Sequence, residues 1–254
     1  SVVLTGTYPA NCGERAQSLN VLPHTRYVES LFRAIWTELG GTLSGIRREG
    51  AVSSEARLFS TSRSEPLASL IRDINKYSNN VMARQLFLTL GESLPLESEP
   101  GDMPAALFGS ERTRRMSLER SLFALHTWLA RERLDFPELV VENGSGLSRK
   151  ERISATHLVR LLEHAARHPL SAELRASLPI LGVDGSTRQR LTDSPAARHA
   201  HLKTGTLEGV KTLAGYVRSK RGREWIVAFF INHPAAKHGQ DAQDALIEWL
   251  ATRH

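Results

Sequence analysis

The chain has 254 residues, of which 41% are hydrophobic and 24% charged, and its formal net charge is +6. Such a chain can bury a sizeable core, and no apolar run approaches the ~20 residues needed to span a bilayer. The arginines are scattered, with no basic stripe interleaved with aromatic residues. The charge therefore suits weak peripheral contact with an anionic membrane or wall surface, and we predict no nucleic-acid partner.

The first part of the chain differs from the rest in its pattern of apolar and polar residues. Residues 2–6 form an apolar run that predicts a strand, and residues 28–39 show the 3.6-residue period of an amphipathic helix. Residues 42–63 predict short extended pieces separated by glycine and serine. Because the pattern changes after these pieces, we expect two parts, residues 1–60 and residues 61–254.

The start of the chain is unusual for a natural N-terminus. It shows neither an initiator Met nor the basic, apolar and small-residue regions of a signal peptide, and its first residues fit a strand already in progress. Cys12 is the only cysteine, which excludes an internal disulfide. It is either a plain loop thiol or half of a disulfide with a partner outside this sequence. We therefore expect the chain to begin inside a larger domain.

Helices dominate the prediction for the second part. Ser64 and Pro66 predict a helix start with Ser64 as the N-cap, and this helix should break at the polar hexapeptide NKYSNN, residues 75–80. Further helices are predicted over residues 81–90, over residues 110–134 and from a capping Ser154 onward, with a strand-like start at residue 139.

The end of the chain predicts a β-hairpin followed by a helix. Residues 211–217 and the heptapeptide WIVAFFI, residues 225–231, fit strands joined by a short turn, so their pairing should be antiparallel. Since WIVAFFI is apolar on both of its faces, both faces need cover. The sequence thus predicts an α/β protein of the α+β type, with an antiparallel sheet flanked by helices on both faces.

The stretch HLKTGTLEGVKTLAGYV opens this hairpin with an unusually polar strand start. Lys203 and Thr204 place an ammonium and a hydroxyl beside Gly205, and a glycine in an edge strand can mark a place where a ligand backbone comes close. With Thr206, these residues could bind a carboxylate. For the tripeptide alone, a solvated lysine at a strand start is the simpler alternative.

A second polar group lies at the predicted helix break, at Ser78 and Asn80. Two such residues in a short turn can point together into a cleft, where the hydroxyl can relay a proton and the amide can bind a substrate amide. On their own, a capping serine with polar neighbours is the favoured interpretation.

Weaker candidates lie elsewhere. Ser145 is flanked by glycines but does not fit the G-x-S-x-G nucleophile motif, so we predict a tight loop near a cleft. Asp184 fits a turn former better than a site residue. His164 and His168 have the i, i+4 spacing of metal ligands, but no Glu follows His164 and Pro169 ends the helix. We therefore predict no metal site.

Several motifs in sequence order resemble one family. The elements YSNN and LKTGT match the S-x-N and K-T-G elements of penicillin-binding proteins. ENGSGLSR and LPILGVDGSTRQRL lie between them, and INKYSNNVMARQLFLTLG surrounds the first. Together they are similar to the class C low-molecular-mass penicillin-binding proteins, which are D-alanyl-D-alanine carboxypeptidases/endopeptidases. The resemblance covers residues 60–235 well and the opening part more loosely.

The resemblance implies a penicillin-binding/β-lactamase-like transpeptidase fold and a periplasmic serine peptidase without a cofactor. Members attack the D-Ala-D-Ala amide of peptidoglycan stem peptides with a serine activated by the lysine three residues later, and β-lactams inhibit them. By resemblance, Ser78 relays a proton to the leaving amine, Asn80 binds the substrate peptide and Lys203 keeps the site electropositive. Thr204 and Thr206 contact the terminal carboxylate, and the Thr206 N–H is one oxyanion-hole donor.

The sequence departs from this family in one respect, because no Ser or Thr stands three residues before any lysine. Since the family carries its Ser-x-x-Lys element near the N-terminus, ahead of a large insertion, we expect a fragment. Residues 1–60 would be the tail of the inserted domain, and a missing N-terminal segment or a second chain would supply the nucleophile. A sheet without its N-terminal strands exposes edges that such a segment or a homodimer contact would cover. The alternative is a non-catalytic wall-binding or interaction module.

Overall fold

The computed structural model describes residues 3, 5–13, 21–48, 50–92 and 118–253. The chain divides into two compact units, Ser1–Ser62 and Arg63–His254. No helix in this described part is long and apolar enough to cross a membrane. The assignment of the first unit to an inserted accessory domain stays a prediction.

The described residues of the first unit contain a long helix, α1 (His24–Glu38), and a short 3₁₀ turn at Ala10–Cys12. Helix α1 follows the predicted apolar period, yet none of its residues is buried, and Phe32 stacks on Trp36 with ring centroids 5.9 Å apart. The strand predicted over residues 2–6 is wrong for the residues of that stretch that are described. A strand needs a hydrogen-bonded neighbour, and the described part of this unit contains no strand to pair with.

The second unit consists of helices around a three-stranded antiparallel sheet. Its described helices are α2 (Leu67–Tyr77), α3 (Asn80–Glu92), α4 (Leu118–Arg131), α5 (Ala155–Arg167), α6 (Ser171–Ser177) and α7 (Gln240–Thr252). Its strands are β1 (Ala200–Leu207), β2 (Val210–Arg218) and β3 (Glu224–Asn232). The start of the helix predicted over residues 110–134 lies outside the described residues. Where a strand start was predicted at residue 139, only a single bridge forms, between Val140 and Arg152.

The predicted break between α2 and α3 is confirmed, and Ser78 explains it. Ser78 has φ 55° and ψ 45°, the left-handed conformation in which helices commonly end. The side chain of Asn79 begins the next helix, because its Oδ1 accepts a hydrogen bond from the Met82 backbone N–H at 3.0 Å. The predicted cap of α2 is wrong: Pro66 is the N-cap residue and no side chain caps the helix. Ser64 lies too far upstream to reach the N–H groups of the first turn.

Strand β2 lies in the centre of the sheet and pairs with both neighbours. Its side chains alternate between two faces. Leu213 and Val217 join the main core with Ile247 of α7, whereas Tyr216 lies on the opposite face and donates its hydroxyl to the Leu162 carbonyl oxygen of α5 at 2.8 Å. Helices α7 and α5 therefore cover opposite faces, and the predicted α+β fold with helices on both faces is confirmed.

The same alternation orients the side chains of β1. Leu202 is fully buried in the α7-side core, and Thr204 and Thr206 share its face. Lys203 and Gly205 therefore lie on the other face, from which the Lys203 side chain reaches Ser78 at the end of α2. The polar residues of this strand are thus divided between its two sides, and only one side reaches the end of α2.

We expect Ser154→Ala to destabilise the protein by about 1 kcal/mol. Ser154 is the N-cap of α5, and its Oγ accepts a hydrogen bond from the His157 backbone N–H at 3.1 Å, which the variant loses. Urea unfolding of the purified protein measures the difference. Ser171→Ala is the matched control, because helix α6 has no capping side chain to lose. Equal stability of the two variants would show that the cap contributes nothing.

Candidate active site

Ser78 and Lys203 are adjacent in space, although 125 residues separate them in the sequence. The Lys203 Nζ donates a hydrogen bond to Ser78 Oγ at 2.5 Å and another to the Thr204 carbonyl oxygen at 2.8 Å. The left-handed conformation of Ser78 turns the chain out of α2 at this point. The structure thus brings together the two elements that the motifs single out.

The pair lies in a cleft of about 650 Å³. One wall is the junction of α2 and α3, with Ser78 and Asn80, and a second wall is the segment of β1 from Lys203 to Thr206. A third wall is the loop of residues 144–147. A cleft bounded by a strand edge can accept an extended peptide through main-chain hydrogen bonds, as in strand addition.

Asn80 connects two of these walls. Its Nδ2 donates a hydrogen bond to the Ser145 carbonyl oxygen at 2.6 Å. The Ser145 backbone N–H and hydroxyl both bind Asn143 Oδ1, at 2.8 and 2.6 Å, and Gly144 adopts a φ of 70°. The loop is therefore the tight turn that the sequence predicts, and the Ser145 hydroxyl is engaged within the loop.

The strand wall contains a glycine and two threonine hydroxyl groups. A Cβ on Gly205 would lie 2.4 Å from Thr212 Oγ1, so any side chain here would require Thr212 to move. On the other face of the strand, Thr204 Oγ1 and Ser186 Oγ share a hydrogen bond of 2.9 Å. Thr206 also lines the cleft. Residues from both faces of β1, namely Lys203, Thr204 and Thr206, thus line the cleft, and their ammonium and hydroxyl groups could bind a carboxylate there.

Lys203 is the partly buried cation of the cleft. Burial lowers its pKa below the usual value of 10.5, because a charged group loses hydration there. Its hydrogen bonds go to a hydroxyl and a carbonyl oxygen, and none of the described carboxylates pairs with it. The cleft therefore carries a positive charge that a ligand carboxylate could neutralise.

We expect this burial to appear in the pH dependence of stability. Because the pKa of Lys203 is lower in the folded than in the unfolded state, the unfolded chain binds more protons between the two values, and stability rises with pH up to 10.5. Lys203→Met lacks this titration, so its stability relative to the wild type should decrease as pH rises through the lowered pKa of Lys203 toward 10.5. Urea unfolding over this range tests the expectation, with the exposed Lys220→Met as control. If the difference in unfolding free energy between Lys203→Met and the wild type did not vary with pH, the expectation would be contradicted.

Asp184 does not line the cleft. Its Oδ2 binds Lys76 Nζ at 2.6 Å, and its Oδ1 accepts a hydrogen bond from the Ile180 backbone N–H at 2.7 Å. It thus forms a turn, which is the interpretation the sequence favours, and it also forms an ion pair that the sequence does not reveal.

Sequence reasoning missed three residues at or behind this cleft, namely Lys76, Ser186 and Glu151. Glu151 lines the cleft, burial raises its pKa, and its Oε1 is buried without a hydrogen-bond partner among the described residues. No spacing rule singles out Lys76 or Ser186, because their side-chain contacts are with residues 108 and 18 positions away, and no motif includes Glu151. Lys76 and Ser186 had an indirect signal, since they lie in the INKYSNNVMARQLFLTLG and LPILGVDGSTRQRL motifs.

The two histidines with i, i+4 spacing do not converge on a common site. His164 lies 3.5 Å from Glu132 and edge-on to Trp128, whereas His168 is the C-cap of α5. Among the described residues, no group of three His, Cys, Asp or Glu side chains could hold a metal ion.

Comparison with solved structures identifies the fold class. The chain resembles penicillin binding protein 4 (dacB) from Haemophilus influenzae, solved in complex with a β-lactam, with a TM-score of 0.67 and 23% identity over 87% of this chain and 51% of that chain. It also resembles the predatory endopeptidase Bd3459 of Bdellovibrio bacteriovorus, with a TM-score of 0.54 and 18% identity over 91% of this chain and 59% of that chain. The fold is therefore that of a penicillin-binding protein.

The sequence comparison shows the family. The model of the D-Ala-D-Ala carboxypeptidase 3 (S13) family matches residues 1–253, so the chain belongs to this family. The D-alanyl-D-alanine carboxypeptidase DacB of Haemophilus influenzae is 28% identical over 180 residues, and the D-alanyl-D-alanine carboxypeptidase of Actinomadura sp. is 28% identical over 230 residues. These matches cover 70% and 87% of this chain but only 34% and 39% of the relatives. The family predicted from the motifs is confirmed. The chain spans between a third and two fifths of the length of these relatives.

Proposed function

We propose that the protein containing this chain is a serine-type D-Ala-D-Ala carboxypeptidase/endopeptidase that processes peptidoglycan through an acyl-enzyme and is inhibited by β-lactams. The observation that carries this proposal is the 2.5 Å hydrogen bond between Lys203 Nζ and Ser78 Oγ inside a peptide-sized cleft. A hydroxyl held by an ammonium can relay a proton to a departing amine. Membership of the S13 family and the names of the relatives support the same chemistry.

Each wall of the cleft has a role in this proposal. Ser78 passes a proton to the leaving amine, and the Lys203 charge favours the deprotonated forms of the catalytic groups. Thr204 and Thr206 bind the terminal carboxylate of the stem peptide, and the Thr206 N–H is one donor of the oxyanion hole. Because the Nδ2 of Asn80 is bound by the Ser145 carbonyl, its Oδ1 is the atom that accepts the substrate amide N–H.

The nucleophile lies outside this chain in our proposal, on a missing N-terminal segment or on a second chain. The sequence contains no Ser-x-x-Lys element, so the present chain alone should neither cleave peptides nor be acylated. The complete protein would act in the periplasm, with peptidoglycan stem peptides as substrates and β-lactams as acylating inhibitors. The absence of the nucleophile element favours one other function, a non-catalytic module that binds wall peptides through the same cleft.

The test is hydrolysis of a synthetic peptide ending in D-Ala-D-Ala by the complete protein. We expect the protein to release D-Ala from this peptide and benzylpenicillin to abolish the release. A matched peptide ending in L-Ala-L-Ala should not be cleaved. Peptide binding without any release would instead support the non-catalytic module.

A further inference from the structure

An ion pair between a buried lysine and a partly exposed aspartate lies behind the candidate active site. We infer that Lys76 and Asp184 are positioning residues, whose ion pair connects α2 to the loop of residues 178–187 and thereby sets Ser78 against Lys203. The catalytic consequence of this inference rests on the function proposed above, whereas the structural connection can be tested without it.

Lys76 is placed for this role by its burial and its position. It lies two residues before Ser78 and is only 8% exposed, and it is the one residue of α2 that is buried. Its Nζ donates hydrogen bonds to Asp184 Oδ2 at 2.6 Å and to the Leu178 carbonyl oxygen at 2.8 Å. A buried ammonium is costly unless it is paired and hydrogen-bonded, so its position depends on these partners.

The loop of residues 178–187 packs directly on the last turn of α2. A Cβ on Gly185 would lie 2.7 Å from the Lys76 carbonyl oxygen, so the two backbones are close to contact. Just before the loop, Asn75 Nδ2 donates a hydrogen bond to Ser177 Oγ at 2.8 Å. The ion pair is therefore the charged centre of a larger contact that includes backbone packing.

The same loop is hydrogen-bonded to β1 on its other side. The Leu202 backbone N–H donates to the Pro179 carbonyl oxygen, and the Leu181 backbone N–H donates to the Ala200 carbonyl oxygen, both at 2.9 Å. The segment that carries Lys203 is thus fixed to the loop by main-chain hydrogen bonds. A continuous series of contacts runs from α2 through the ion pair and the loop to β1.

The ion pair is the charged link in this series, and a single substitution can break it. The backbone bonds between loop and strand remain in any side-chain variant, whereas removal of the Asp184 charge leaves the buried Lys76 ammonium without its ionic partner. The end of α2 can then shift relative to β1, and displacements of about 1 Å can cost roughly 10²-fold in rate when catalytic groups must be aligned.

The test uses Lys76→Met, Asp184→Asn and the double variant in the complete protein, with Lys220→Met as the control for loss of an exposed lysine. Acylation by a fluorescent penicillin is measured per folded molecule, with the folded fraction taken from circular dichroism. We expect each single variant to acylate at least about tenfold more slowly, and the double variant to be no slower than the slower single variant, because the two residues act as a unit. The control should match the wild type.

Hydrogen exchange separates this inference from the proposed function. In Asp184→Asn, the amides of residues 75–80 should exchange faster than in the wild type, whether or not the protein is an enzyme. If the wild type is never acylated, the proposed function fails, and the exchange rates alone decide the inference. The inference would be overturned if these amides exchanged in Asp184→Asn at the wild-type rate. It would also be overturned if both single variants were acylated at the wild-type rate per folded molecule.

Discussion

Replacement of Lys203 by alanine in the complete protein is expected to lower the rate of covalent labelling by a fluorescent penicillin by roughly 10²–10⁴-fold. The variant loses the ammonium that donates to Ser78 Oγ at 2.5 Å and the positive charge that suits a ligand carboxylate. A proton relay that depends on this contact cannot operate without it. Time courses of labelling, read from gels, measure the effect.

The control for this substitution is Lys220→Ala, which removes an equal charge from an exposed turn between β2 and β3. Circular dichroism should show that both variants remain folded, since Lys203 is not part of the apolar core. Labelling of folded Lys203→Ala at the wild-type rate would contradict the role assigned to this residue.

Gly215→Ala is expected to have the largest effect on stability, roughly 4 kcal/mol or more. Gly215 lies in the central strand with φ 148°, and an added Cβ would lie 2.1 Å from the His201 carbonyl oxygen and 3.1 Å from the Leu202 Cα. Both contacts are with the backbone of β1, so no rotation of a side chain can relieve them. The separation of β1 from β2 would also displace Lys203, and labelling should be lost together with stability.

Gly222→Ala separates this clash from the general cost of a side chain at positive φ. Gly222 has φ 83°, and the nearest atom to an added Cβ is Arg218 Nη2 at 3.9 Å. We expect Gly222→Ala to cost only about 1–2 kcal/mol. Equal urea midpoints for Gly215→Ala and Gly222→Ala would show that the close approach of β1 and β2 does not limit the side chain at position 215.

Local sequence patterns predicted most of the second unit correctly because its elements are set by local physics. The apolar period of α7, the cap of α5 at Ser154 and the short turn between β2 and β3 all depend on neighbouring residues. The predicted cap at Ser64 failed because Pro66 begins α2 without a side-chain cap. The predicted opening strand failed because a strand depends on a partner that local sequence cannot supply.

The candidate site was predictable only in part. Ser78 and Lys203 could be proposed together because their motifs occur in the order of a known family, and periodicity alone could not have paired them. Lys76 was missed, and Asp184 was predicted mainly as a turn former, because their contact is made between residues 108 positions apart. A lysine at the end of an amphipathic helix is ordinarily exposed, and nothing in the sequence marks this one as buried.

The most direct test of the account is the location of the penicillin adduct in the complete protein, by intact mass measurement followed by peptide mapping. We predict a single penicilloyl adduct on a serine of a Ser-x-x-Lys element outside these 254 residues. An adduct on Ser78 or Ser145, or a folded complete protein that never forms one, would contradict the account.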